Sequence, residues 1–146
     1  MGLCEWLELG IFPEAWGSES EALKIADLAG IATRYSGRVV GDGHCVAFVR
    51  EVCDLPPTTR WRTGEQVRGN VLAPGVAIAT FEAGRYGNKR DGGSHCAVFV
   101  EAQESGILVW DQWLGRVVGS RVIRYRGGKS LPVDDGDAYW VIEVGK

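Results

Sequence analysis

The residues best suited to chemistry are Cys45, His95 and the neighbouring pair Asp111-Gln112. Cys45 follows a turn, Gly41-Asp42-Gly43-His44, and opens a segment that reads as a helix to Cys53. Val46, Val49 and Cys53 fall on one face of it, with Ala47 and Phe48 beside them, while Arg50 and Glu51 face outward. A helix N-terminus carries unpaired N–H groups and partial positive charge, which favour thiolate over thiol and prepare a cysteine for nucleophilic attack. Its N–H, with a neighbouring donor, is suited to stabilising an oxyanion.

A nucleophilic cysteine needs a base, and the choice is between the two histidines, His44 and His95. His44 adjoins Cys45 in the turn, where its side chain points elsewhere, so it is the second choice, near the oxyanion. His95 heads an apolar strand directly after a glycine-rich loop, an accessible position on a rigid support. A third group must orient the imidazole from its other nitrogen. In Val109-Trp110-Asp111-Gln112-Trp113 either Asp111 or Gln112 can do so, and only one can face His95 because strand neighbours point to opposite faces. A carboxylate also stabilises an imidazolium, which favours Asp111. Trp61, Tyr86 and Trp113 are candidates to wall a substrate groove, and Arg85, Lys89 and Arg90 to attract an anionic ligand.

The elements that must position these residues follow from periodicity. The segment from Glu19 to Ala29 reads as a helix, capped by Ser18 and ended by Gly30. Leu55-Pro56-Pro57 stops the Cys45 helix, and residues 57–74 read as a polar loop or short helix around Trp61. The period then changes to that of strands: Val76 to Phe81, His95 to Glu101, Ile107 to Trp113, Arg116 to Arg126 and Ala138 to Val144. The turn Gln103-Glu104-Ser105-Gly106 makes a hairpin of the second and third, and brings the end of one beside the start of the other. Helices followed by consecutive strands predict an α+β fold, with helices on a five-stranded, mostly antiparallel sheet. Residues 1–18 are expected to be irregular or a short helix packing through Trp6, Phe12 and Trp16.

Composition narrows the function classes. The 146 residues fit one domain, and a net charge of −3 gives no electrostatic footprint for nucleic acid. No apolar run is long enough to insert in a membrane, and the N-terminus has neither the basic region nor the apolar stretch of a signal peptide. The four cysteines have no zinc-site spacing, so no metal or cofactor is expected.

The strings Gly43-His44-Cys45-Val46-Ala47-Phe48-Val49, Pro74-Gly75-Val76-Ala77-Ile78-Ala79, His95-Cys96-Ala97-Val98-Phe99-Val100 and Ile107 to Trp113, in that order, resemble the NlpC and CHAP cysteine amidases. Val76 stands where those families have an acidic residue. The resemblance implies a circularly permuted papain-like fold, with a catalytic core over 39–146 and an N-terminal extension, 1–38, without a clear counterpart. It implies a Cys45-His95-Asp111 triad hydrolysing amide bonds in peptidoglycan stem peptides through an acyl-enzyme. The layout is also similar to the small amidase effectors of type VI secretion. That similarity implies synthesis in the cytoplasm, export by a dedicated system to a target cell's periplasm, and a cognate immunity protein. The alternatives are a cysteine protease or deamidase acting on protein, and a non-catalytic binding module.

Overall fold

The computed structural model describes residues 4–7 and 23–145. It is an α+β structure with strands β1 (Cys4–Leu7), β2 (Leu23–Ala26), β3 (Trp61–Gln66), β4 (Ala77–Thr80), β5 (Cys96–Ala102), β6 (Gly106–Trp113), β7 (Arg116–Arg124) and β8 (Tyr139–Val144), and helices α1 (Leu28–Arg34) and α2 (Cys45–Cys53). β1 and β2 form an antiparallel pair, and the other strands form an antiparallel sheet in the order β3-β8-β4-β5-β6-β7. No helix among the described residues is long and apolar enough to cross a membrane.

The sheet is six-stranded, one strand more than the periodicity predicts. The additional strand is β3, which lies within the stretch read as a loop or short helix. Arg62-Thr63-Gly64-Glu65-Gln66 lacks apolar alternation because β3 is an edge strand, held by backbone pairing to β8. The expected helix from Glu19 to Ala29 is also corrected, as far as it is described. Leu23 to Ala26 pairs with β1, and Ile25 bridges to Val76. Helix α1 starts only after Asp27, whose carboxylate accepts a hydrogen bond from Gly30 N–H at 3.1 Å. Gly30 therefore lies in the first turn of a helix rather than beyond its end. Ser18, Phe12 and Trp16 lie outside the described residues, and the start of the chain contributes strand β1 at Cys4–Leu7.

Apolar residues on both faces of the central strands explain their unbroken runs. Ala77, Ala79, Cys96, Val98 and Ile142 face a core shared with Ile31 of α1 and with Phe48, Val49, Val52 and Cys53 of α2. Their neighbours Ile78, Ala97, Phe99, Ile107, Val109 and Val141 face a second core with Tyr139 and Ile123. The sheet thus partitions the molecule, and a side chain's strand parity decides which side it serves.

Helix α2 is aimed by the loop before it. The buried Gln112 amide donates to Val40 O and His44 O, both at 2.8 Å, and accepts from Val40 N at 2.9 Å. Gly41 adopts φ +57°, and a Cβ there would meet Ala47 Cβ at 2.8 Å, so only glycine lets the loop close against the first turn of α2. Gln112→Ala removes three hydrogen bonds; Val40 O and His44 O keep the N–H groups of Gly43 and Ala47, and Val40 N–H loses its acceptor. The substitution is expected to lower stability by about 1–3 kcal/mol, measured by urea denaturation, and to slow Cys45 alkylation in the still-folded fraction.

Candidate active site

Cys45 is the first residue of α2, and His44 is its N-cap in extended conformation, with no side-chain capping bond. Ala47 N–H bonds back to His44 O at 3.2 Å, which leaves the N–H groups of Cys45 and Val46 at the open end of the helix. His95 immediately precedes β5 and is held from two sides. Its N–H donates to Thr80 Oγ1 at 3.0 Å, and its carbonyl accepts from Thr80 N at 3.0 Å. Its ring packs edge-on between Trp113 (6.1 Å between centroids) and Tyr139 (6.4 Å).

His95 Nε2 lies 2.8 Å from Asp111 Oδ2, which leaves Nδ1 to face Cys45. Asp111 is fully buried. It also accepts from Arg116 Nη1 at 2.8 Å through Oδ1, and from Arg121 Nε at 2.9 Å through Oδ2. Burial raises the Asp111 carboxyl pKa, but His95 and Arg121 outweigh it and the net direction is down. The carboxylate is thus anionic and fixed by three donors.

The sulfur and imidazole shift each other. The Cys45 pKa is lowered to about 4. The adjacent Cys96 thiol lowers it most, burial opposes, and hydrogen bonding and charge from His95, with the Tyr86 hydroxyl, complete the shift. For His95, burial alone acts downward, but hydrogen bonds to Asp111 and Cys45 carry its pKa up to about 9. Between those limits the pair stands as thiolate and imidazolium, the state from which sulfur attacks and the ring supplies a proton. Cys96, in the helix-facing core, has its own thiol pushed well up, first by burial, and stays neutral. Above this group lies a cleft of about 640 Å³, lined by His44, Cys45, Tyr86, His95, Trp113 and Arg121 among others. A second hollow, of about 420 Å³, lies along the outer face of α2 and contains neither Cys45 nor His95.

Residues 21–142 match the Domesticated amidase effector 2 family. This chain belongs to that family. It is 36% identical over 141 residues to Domesticated amidase effector 2 of Ixodes scapularis, covering 86% of this chain and 96% of the relative. It is 32% identical over 118 residues to the Type VI secretion amidase effector 2 protein of Salmonella typhi, covering 71% and 88% respectively. Its fold matches the solved structure of Type 6 secretion amidase effector 2 (Tae2) with a TM-score of 0.69 at 27% identity, over 83% of this chain and 95% of that one. The fold is thus of the papain-like kind that the sequence strings imply. The family match begins upstream of residue 39, where the resemblance placed the start of the core.

In this family member the structure brings Cys45, His95 and Asp111 together, and it separates the two rivals for the third position. Asp111 has the strand parity of Ile107 and Val109, on the face away from α2, where His95 meets Tyr139. Gln112 has the opposite parity and is spent on the loop before α2. His44 lines the cleft, but its backbone carbonyl is tied to Gln112 and its N–H to Asp42, so it shapes the turn.

Tyr86 and Trp113 line the cleft, whereas Trp61 does not. Trp61 is wholly buried, and its indole N–H is satisfied by Pro56 O at 2.9 Å. Lys89 and Arg90 reach the cleft, with Lys89 paired to Glu82, while Arg85 is not part of the lining. Thr80, Arg116, Arg121 and the contact of Cys96 with the sulfur were not read from sequence. Arg116 and Arg121 look like solvated charges on a strand until β7 is laid beside β6, and Thr80 simply ends an apolar run.

The charge state sets a window of activity. Cys45 alkylation by iodoacetamide is expected to rise through a limb near pH 4, because the lowered thiol pKa yields thiolate above it. Amide hydrolysis is expected to fall as pH passes about 9, where the raised His95 gives up its proton. His95→Ala should move the alkylation limb up toward an ordinary thiol at about 8.5 and cost roughly 10²–10⁴ in kcat. Asp111→Ala strands three buried or half-buried cations. It should destabilise the fold by about 3–5 kcal/mol, read from the denaturant midpoint.

Proposed function

We propose that this chain is a cysteine amidase that hydrolyses amide bonds in peptidoglycan stem peptides. The observation that carries this reading is the placement of Cys45, at the N-terminus of α2, with His95 and its Asp111 partner along one cleft of about 640 Å³, where the pKa shifts favour thiolate and imidazolium. The relatives named amidase effectors supply the reaction class, and the resemblance to the NlpC and CHAP amidases supplies the polymer. We take residues 1–146 as one catalytic domain, exported by a dedicated secretion system to act in a target cell's periplasm. A cognate immunity protein would protect the producer by filling the same cleft.

The roles follow from position. Cys45 Sγ attacks the carbonyl carbon, and the C=O electron pair moves to oxygen. The N–H groups at the start of α2 receive that charge. His95 gives its proton to the leaving nitrogen as the C–N bond breaks, which leaves a thioester on Cys45. The neutral imidazole then takes a proton from water, the resulting hydroxide adds to the thioester carbonyl, the C–S bond breaks with its electron pair returning to sulfur, and the acid departs, leaving imidazolium and thiolate restored. Asp111, tied at both oxygens, keeps Nδ1 turned toward the sulfur through the cycle.

Purified protein is expected to release new fragments from muropeptides, resolved by chromatography and mass spectrometry, and Cys45→Ala to abolish that release while melting at the wild-type temperature within a few degrees. Cleavage that persists in Cys45→Ala would remove the sulfur from the mechanism.

A further inference from the structure

Tyr86 is built into the site more firmly than a groove-lining aromatic needs to be. It follows a tight turn in which Glu82 and Arg85 exchange both backbone hydrogen bonds, at 2.8 and 2.9 Å, across Ala83 and Gly84 at positive φ. The turn fixes where residue 86 enters the cleft. Its ring packs on Trp61 at 5.1 Å between centroids, tilted by 57°. Trp61 is immobilised in turn by full burial and by its bond to Pro56 O. This stack directs the phenol oxygen at the nucleophile: Tyr86 Oη lies 3.6 Å from Cys45 Sγ. Burial, with the neighbouring Cys96 and Cys45 sulfurs, pushes the phenol far above its ordinary range, so it keeps its proton while the thiolate is charged.

A donor that only held the thiolate would stabilise the ground state and slow the attack. Here the contact to sulfur is long, whereas a working oxyanion donor sits at roughly 2.7–3.1 Å from oxygen. The oxygen of a carbonyl attacked by Sγ is two bonds from that sulfur, and so within reach of a hydroxyl that lies 3.6 Å from it. Rotation about the Cζ–Oη bond alone can redirect the hydrogen.

We propose that Tyr86 is a catalytic residue, whose Oη–H contacts the Cys45 sulfur at rest and donates to the substrate's carbonyl oxygen as that oxygen becomes an oxyanion, alongside the backbone N–H groups of α2. This rests on the reading of Cys45 as the nucleophile. No proton is transferred from the phenol. The electron pair of the C=O bond moves onto oxygen as the S–C bond forms, Tyr86 shares its hydrogen with that oxygen, and the bond is released when the carbonyl reforms and the amine departs with the proton of His95.

Tyr86→Phe keeps the ring on Trp61 and deletes the donor. In the full chain, assayed on muropeptides and on p-nitrophenyl acetate, whose acylation builds the same oxyanion, kcat or the acylation rate is expected to fall about 10²-fold, with KM within about threefold of wild type. Iodoacetamide alkylation builds no oxyanion, so its plateau rate above the thiolate limb should stay within about twofold of wild type. Acylation within threefold of wild type would overturn the proposal. So would an alkylation plateau that falls in step with acylation, which would mean the substitution disturbs the sulfur itself rather than the oxyanion.

If the variant loses its cooperative melt, a difluorinated tyrosine placed at position 86 preserves the packing and makes a more acidic donor. Acylation that rises supports the proposal, and an unchanged rate counts against it. Cys45→Ala run in parallel separates the two levels. Turnover surviving there defeats the reading of the site itself, whereas turnover lost there but intact in Tyr86→Phe defeats only the role of Tyr86.

Discussion

A thiolate and an imidazolium, each mostly removed from water, would be costly to hold if they stood alone, and most of the surrounding structure can be understood as meeting that cost. The negative sulfur lies against the positive end of α2 and accepts from neutral donors, the Cys96 thiol and the Tyr86 hydroxyl. The positive ring is backed by Asp111, and Asp111 by Arg116 and Arg121. Charge therefore alternates from the sulfur outward to two half-buried guanidinium groups that solvent can reach. Buried ions are tolerated on these terms, because every charge has an opposite neighbour and its hydrogen-bonding capacity is used. Trp113, under both guanidinium groups and edge-on to His95, closes the arrangement on the cleft side.

The sheet makes this possible by separating positioning from chemistry. On its helix side, Cys96 and Gln112 engage α2 and its preceding loop, one beside the sulfur and the other through the carbonyls of Val40 and His44. On its other side, His95 and Asp111 meet against Tyr139. The two halves join at the start of α2, where Cys45 meets His95 and Cys96. The nucleophile and its base thus approach from different layers, each on its own rigid support, and neither depends on a long loop for its aim. The long loop between β4 and β5 contributes Tyr86, but only after a tight turn and a stack on Trp61 have removed most of its freedom.

Much of this arrangement is legible in the sequence. The helix from Cys45 was visible because its apolar face repeats at helical period and Leu55-Pro56-Pro57 stops it. The five C-terminal strands, β4 to β8, are legible to within two residues, because alternation and turn chemistry are local signals. Residues 23–26 carry a helix signal that the structure overrides, because Leu23 and Ile25 fit both a strand and the helix period of the residues after them, and pairing with β1 decides the outcome. Strand β3 was missed because an edge strand with few buried side chains leaves no apolar pattern.

Cys45 and His95, the order in which they occur and the pair Asp111-Gln112 are properties of the sequence alone, since a nucleophile at a helix start and a base at a strand head are marked by their immediate neighbours. Everything that depends on which residues lie side by side was settled by the tertiary structure. The assignment of Asp111 to His95 and of Gln112 to the loop came from strand parity relative to α2. The counter-charges of Arg116 and Arg121 came from the register of β7 on β6, and the removal of Trp61 from the groove came from its burial in the core shared with α2. Local chemistry depends on a few adjacent residues and is written along the chain. The electrostatic environment of a buried charge depends on groups tens of residues away, and only packing brings those within a few ångströms.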